Sequence, residues 1–302
     1  MANVLDQLPS GGRVAVVRLR SLGDCVLTTP AIELLKRSRP DLRLAAVVEA
    51  RFRGLFENNP DVDELLPVEL AALRRWRPQL CLNLHGGTRS AWLTAASGAR
   101  FRAGFAHFRH RFAYNLRIPR AQEILKVERT VHTAEHLASA VFWLGAQRAE
   151  IPRAKLIPRN PLPQRPRAVI HAVAATPEKT WRAEGFLAVA EHLRAAGTEP
   201  VFIGAEAREL APFHAFRTLA GAPLEEVKAL LSSASLFVGN DSGPAHMAAA
   251  FGLPVVAIFG ASDPAIWGPW RTVAEVIASP AGIGSVTTVQ VLNALARLGV
   301  HA

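Results

Sequence analysis

The stretch Gly239-Asn-Asp-Ser-Gly-Pro-Ala-His246 has the make-up of a turn that receives an anion. SLFVG before it is β-branched and aromatic and reads as a buried strand, and VVAIF after it reads as a second. Between them Asp241, Ser242 and Gly243 form a turn. Pro244 takes the first helical position, where its fixed φ fits and its missing amide proton is no loss. The helix AHMAAAF is short, built of small residues, and closed by Gly252 and Pro254. Its free amides and positive dipole end suit a negative group lying beyond the strand. The same residues also describe an ordinary crossover with a good N-cap.

A second candidate stands near the start of the chain. RVAVVRL (residues 13–19) reads as a strand running into Arg20-Ser-Leu-Gly23-Asp24. Gly23 permits a tight loop, and Thr28 or Thr29 before Pro30 can cap a helix reaching Lys36. Asp24 is either another cap or a carboxylate at the C-terminal edge of the first parallel strand, the usual ligand crevice of open α/β sheets. One glycine does not make the G-x-G-x-x-G fingerprint, so no dinucleotide site is claimed.

Other residues have two readings each. Glu206 and Glu209 follow a strand end, as ribose acceptors or as first-turn helix acids. His132-Thr-Ala-Glu135-His136 fits an inverted zinc-protease pattern, but a plain helix face is preferred because nothing else suggests a hydrolase. Trp181 and Trp267 read as core or wall, with ring stacking as the alternative. HFRHRFAYNLRIPR mixes cations and aromatics without a period, and reads as a loop lining a basic surface that includes Arg109 and Arg111.

The elements that must position these groups alternate strand and helix along the whole chain. At 302 residues, half of them hydrophobic, the chain can bury two cores. Prolines at 152, 158, 161, 163 and 166 mark a linker, giving domains at 1–160 and 161–285 and a terminal amphipathic helix within 286–302 that can pack back on the first domain. Both halves read as doubly wound, mostly parallel α/β domains facing a central cleft. No apolar run reaches the roughly 18 residues of a membrane span, the N-terminus lacks a signal-peptide pattern, and two cysteines make no disulfide framework, so a cytoplasmic location is expected. The net charge of +10 is uneven: residues 1–160 hold 25 Lys+Arg against 14 Asp+Glu, and residues 161–302 hold 10 against 11. The basic first half expects a negatively charged partner: nucleic acid, anionic lipid or acidic glycan.

Gly23-Asp24 with TTPA, SAWLTAASGARFRAGF, His171 through Lys179-Thr-Trp181, and NDSGPAH followed by GLPVVAIFGASDP resemble glycosyltransferase family 9, which contains the ADP-heptose:lipopolysaccharide heptosyltransferases. The resemblance runs in order along nearly the whole chain. It implies a GT-B-like fold, with a nucleotide-sugar donor in the C-terminal domain and an acceptor in the N-terminal one. It also implies an inverting transfer of heptose that needs no metal or other cofactor. Asp24 would then be the base. Thr176, Lys179, Glu206, Asp241, Ser242, Gly243 and His246 would serve the donor, and Gly23, Arg109 and Arg111 the acceptor. The implied partners are ADP-heptose and an anionic glycolipid, with peripheral contact at the inner membrane face and no nucleic acid. Two departures from the family pattern are His171-Ala-Val-Ala, where Pro-Gly often follows the histidine, and Asn83, where an aspartate is common.

The chemistry of the residues agrees with this reading. Transfer to a hydroxyl needs a base and a charge sink for the departing diphosphate. One inverting displacement needs one carboxylate, not the close pair of a retaining hydrolase. Other readings are transfer from a different nucleotide sugar, a basic nucleic-acid-binding module, and a nucleotide-sugar binder without catalysis. The first half holds no recognised nucleic-acid motif.

Overall fold

The computed structural model describes residues 3–301; Met1, Ala2 and Ala302, which fall inside the expected domain bounds, lie outside the described residues. The chain divides into two units, one ending at Ile157 and the other starting at Pro158. The division falls within the proline-marked linker, three residues before the expected boundary.

The first unit runs β1 (Arg13–Val17), α1 (Leu22–Ser38), β2 (Arg43–Val47), β3 (Glu64–Leu66), α2 (Leu70–Trp76), β4 (Leu80–Asn83), α3 (Thr88–Ala96), β5 (Phe101–Phe105), β6 (Leu116–Ile118), α4 (Ala121–Leu125) and α5 (Thr133–Trp143). Its six strands lie in the order β3-β2-β1-β4-β5-β6, and every pairing is parallel. The inner strands VAVV of β1 and LCLN of β4 are buried throughout, as expected for strands covered on both faces.

The second unit runs β7 (Arg167–His171), α6 (Ala183–Ala195), β8 (Glu199–Gly204), β9 (Arg217–Ala220), α7 (Leu224–Ser232), β10 (Leu236–Asn240), α8 (Gly243–Ala250), β11 (Val255–Phe259), α9 (Pro264–Trp267), β12 (Ala274–Ala278) and α10 (Thr288–Arg297). The strand order β12-β11-β10-β7-β8-β9, again all parallel, repeats the topology of the first sheet. Each unit is thus a doubly wound Rossmann-type domain. Its strand order reverses between β1 and β4 in one case and between β7 and β10 in the other. Ligands of such sheets bind beyond the strand ends at that reversal.

Two expectations need correction here. The first helix does not start at Thr28 or Thr29 but at Leu22, capped by Ser21, so Gly23 is its second residue and not part of a loop. Pro30 sits inside the helix and cannot donate to the carbonyl of Val26. The Thr29 hydroxyl donates to that carbonyl instead, at 2.8 Å, which is why the helix continues through the proline. The terminal helix α10 joins the core of its own unit: Val291, Ala294 and Leu295 are buried in the cluster that holds Trp181, Phe186 and Phe202. Thr287 and Gln290 close a capping box at its start. The stretch 107–120 is not all loop, since it carries one 3-10 turn at Arg111–Ala113 and the strand β6. The short strand β9 had no periodic signal, and its edge residues are mostly exposed.

Candidate active site

At the reversal of the first sheet, the chain leaves β1 through Arg18 and enters α1 at Leu22, two residues before Asp24. The Asp24 carboxylate closes the capping box. One oxygen accepts from the Ser21 amide at 3.3 Å and the Ser21 hydroxyl at 3.1 Å. The other is ion-paired with Arg18, with side-chain exposures of 20% for Asp24 and 9% for Arg18. Arg18 in turn donates to the carbonyl of Leu84, just beyond β4. So Asp24 is both a cap and a strand-edge carboxylate, and the guanidinium beneath it fixes which way it points.

The β4 side of this edge is set by Asn83, which is fully buried. Its carbonyl oxygen accepts from the amides of His85 at 2.9 Å and Gly86 at 3.0 Å. Its amide donates to Thr94 Oγ1 at 3.1 Å and to the Tyr114 hydroxyl at 3.0 Å. Thr94 Oγ1 already donates to Ser90, so it needs a donor opposite it. A carboxylate cannot supply one, which accounts for asparagine at this position. His85 is held neutral by burial first and by the Arg18 charge second, both of which push its pKa below the ordinary value. Farther along, His136 stacks on Phe105 with ring centroids 4.0 Å apart, and burial followed by the charges of His107 and Arg18 pushes its pKa down to about 4. A recess of about 270 Å³ opens beyond β2 and β3, with Arg53, Arg89, Glu49 and Glu69 on its wall.

At the reversal of the second sheet, the β10–α8 turn meets the loop after β7. Lys179 Nζ lies 2.9 Å from Asp241 Oδ2. Asn240, fully buried, accepts from the amide of Trp181 at 2.9 Å and donates to the carbonyl of Ala172 at 2.9 Å. One side chain therefore ties both ends of the segment carrying Lys179 to β10. Ser242 Oγ lies 3.0 Å from His171 Nδ1. Burial pushes the pKa of His171 down to about 4, so the ring is neutral near pH 7. Ser242 is the N-cap of α8 and Pro244, which has no amide proton, lies in its first turn; the Ala245 amide donates to the carbonyl of Ser242 at 3.1 Å, and the positive end of the helix dipole lies at this turn. Gly260, just beyond β11, has no room for a side chain: a Cβ would collide with the carbonyl of Glu178. The arrangement holds one ammonium and a set of amides beside one another, which suits a diphosphate.

A family model described as glycosyltransferase family 9 (heptosyltransferase) matches residues 70–289. The chain belongs to glycosyltransferase family 9. It is 27% identical over 295 residues to lipopolysaccharide heptosyltransferase 3 of Escherichia coli, a match covering 83% of this chain and 84% of that protein. Its fold is that of the glycosyltransferase family 9 structure from Veillonella parvula DSM 2008, with TM-score 0.82, 22% identity, and coverage of 96% of this chain and 98% of that one. It is also that of E. coli heptosyltransferase WaaC solved with ADP, with TM-score 0.79, 21% identity, and coverage of 94% and 99%. The architecture is thus GT-B-like, and the protein is a glycosyltransferase.

Within this family 9 chain two sets of the expected site residues stand at the sheet reversals, and the others lie apart. Asp24 and Gly23 stand at the first reversal. Lys179, Asp241, Ser242 and Gly243 stand at the second, and the carbonyl of Thr176 accepts from the amide of Lys179 at 3.1 Å, closing the turn. His246 lies one turn into α8 and is buried. Glu206 is the N-cap of the 3-10 turn Ala207–Phe213, where it closes a capping box with the first-turn acid Glu209 and pairs with Arg208 at 2.6 Å. Arg109 and Arg111 are exposed on the segment after β5. Trp181 is core, its indole N–H donating to Val286 at 2.8 Å, and Trp267 is half-buried. The His132–His136 pattern serves the start of a helix: His132 caps α5 by accepting from the amide of Ala134, and Glu135 pairs with Arg129 at 2.6 Å. Among the described residues no group of His, Cys, Asp and Glu is arranged to hold a metal ion. Arg18, His85 and Asn240 had no assigned role in the sequence. The one signal available was their position at or just after a strand end.

Proposed function

We propose that this enzyme transfers a heptose from ADP-heptose to a lipopolysaccharide-core glycolipid, with inversion at the anomeric carbon. The observation that carries the reading is the single ion-paired carboxylate of Asp24 at one sheet reversal, with the Lys179 and α8 diphosphate cradle at the other, in a family 9 chain. Its relatives' names supply the sugar and the acceptor class. The acceptor hydroxyl gives its proton to Asp24, and its oxygen bonds to the anomeric carbon. The bond from that carbon to the β-phosphate oxygen breaks, and ADP leaves with the electron pair. Lys179 and the amides at the start of α8 meet the charge that develops on the leaving diphosphate. Arg109 and Arg111 attract the anionic acceptor. The scheme uses no metal or bound cofactor. No helix among the described residues is long and apolar enough to cross a membrane; we place the enzyme in the cytoplasm, acting on an acceptor at the inner membrane face.

The test is direct. The protein is incubated with ADP-heptose and a core acceptor lacking its terminal heptose, with and without EDTA. A mass gain of one heptose and release of ADP are expected in both. No gain with ADP-heptose, but a gain with a UDP- or GDP-sugar, overturns the donor assignment. Turnover abolished by EDTA and restored by a divalent cation overturns the metal-free scheme.

A further inference from the structure

Trp92 and Phe112 are 60% and 57% exposed, and their ring centroids lie 5.1 Å apart. Among the described residues they are the only exposed Trp, Phe or Tyr side chains. They come together because the segment after β5 is laid along α3. Phe108 fills the space over Gly86, where a Cβ would sit 2.6 Å from its ring. His110 Nε2 lies 2.9 Å from Thr88 Oγ1, and Phe112 reaches Trp92 one turn farther along α3. The alternate residues Arg109 and Arg111 are exposed, beside the aromatic pair. Arg89 is exposed three residues before Trp92, on the same face of α3.

The charge around this patch has one sign. Between Glu69 and Glu123 the sequence holds ten arginines, no lysine, and no Asp or Glu. A neighbouring protein or a neutral sugar gives no reason for such a run. The ring geometry also speaks against a sugar platform, because the two planes are tilted 57° to each other and present no common flat face. Exposed aromatic rings ringed by arginine suit the headgroup layer of an anionic bilayer, where amphipathic aromatics settle and basic residues meet lipid phosphates. Either signal alone binds weakly, and the two together anchor.

We propose that Trp92 and Phe112, flanked by Arg89, Arg109 and Arg111, form the surface by which the first unit docks on an anionic lipid bilayer. This deepens the reading of the acceptor as a glycolipid, and it rests on that reading for its purpose. It can be tested without it. Full-length protein is sedimented with vesicles of phosphatidylcholine alone or containing phosphatidylglycerol, with no donor or acceptor present. Binding to the anionic vesicles only is expected, falling about tenfold or more in Trp92→Ala/Phe112→Ala and falling with added salt. Both side chains are exposed, so the variant should keep the wild-type melting temperature and ADP affinity. Wild-type protein that ignores anionic vesicles, binds both kinds equally, or binds undiminished in the double variant overturns the proposal. A double variant that binds vesicles normally but loses affinity for a deacylated, soluble acceptor makes the rings a glycan contact, which also overturns it. If vesicle binding behaves as expected while no heptose is transferred, the functional reading fails and the docking surface stands.

Discussion

Lys179 Nζ lies 2.9 Å from Asp241 Oδ2, so the ammonium proposed to meet the diphosphate is already paired, with a carboxylate that is only 7% exposed. The pair bridges the loop after β7 and the turn after β10, two segments 62 residues apart. It gives the long, flexible lysine one preferred direction, which an isolated surface lysine lacks. A bound diphosphate then adds oxygens to an ammonium already aimed, at the cost of sharing it with Asp241.

Lys179→Ala should weaken ADP about 10- to 100-fold, the scale of one charged hydrogen bond, while adenosine loses little. It should also lower the melting temperature, because Asp241 is left without its cation. Lys179→Ala/Asp241→Asn should recover the melting temperature but not ADP affinity. Calorimetry with adenosine and ADP reads the difference; equal losses for the two ligands would remove Lys179 from the diphosphate.

Asp24→Asn keeps the size of the side chain and an oxygen for Ser21, but it cannot take a proton from the acceptor. Turnover should fall by about 10²–10⁴, with ADP affinity unchanged. Arg18→Met should also lower turnover by freeing the carboxylate from its fixed orientation, and its effect should be small in the Asp24→Asn background. Wild-type turnover by Asp24→Asn, measured with confirmed donor and acceptor, takes this residue out of the reaction.

In the proposed scheme anion binding in the second unit rests on a few local groups, whereas the first unit carries the excess of basic residues. Affinity for a soluble, phosphorylated acceptor should therefore fall steeply between low and physiological salt, while ADP affinity changes less. Arg109→Ser/Arg111→Ser should flatten the acceptor curve and leave ADP binding alone. Acceptor affinity that ignores salt, or a double variant that loses ADP, would assign the basic segment elsewhere.

His136 and His171 each have a pKa lowered from 6.5 to about 4, chiefly by burial; His107 and Arg18 add to the shift of His136, and Glu209 opposes that of His171. The unfolded chain takes up a proton at each site below the ordinary value, and the native chain does so only near pH 4. Stability is therefore fully present at pH 7 and is lost as pH falls from about 6.5 towards 4, by about 2–3 kcal/mol per histidine. His136→Phe, which keeps a ring against Phe105, should reduce the slope by the share of that one residue. Denaturant midpoints at pH 7, 6 and 5 check this; a flat profile would mean that neither ring is held neutral by the fold.

The sequence alone determined the parts whose cause is local. Alternating buried strands and capped helices gave two doubly wound units because both signals depend on neighbours a few residues away. The β10–α8 turn was legible for the same reason: Ser242, Gly243 and Pro244 carry their own backbone preferences. The start of α1 was misplaced because Pro30 normally opens a helix, and only the folded turn shows the Thr29 hydroxyl answering the carbonyl that the proline leaves. The tertiary structure alone decided the pairings. Arg18 meets Asp24 and Leu84 because β1 and β4 are adjacent, and Asn83 must donate because Thr94 and Tyr114 are brought opposite it. Asn240 reaches Trp181 and Ala172 across 59 and 68 residues, and α10 enters the core of the second unit. Periodicity records which face of an element is buried. It carries no record of what is buried against it, and that is fixed only when the sheet order closes.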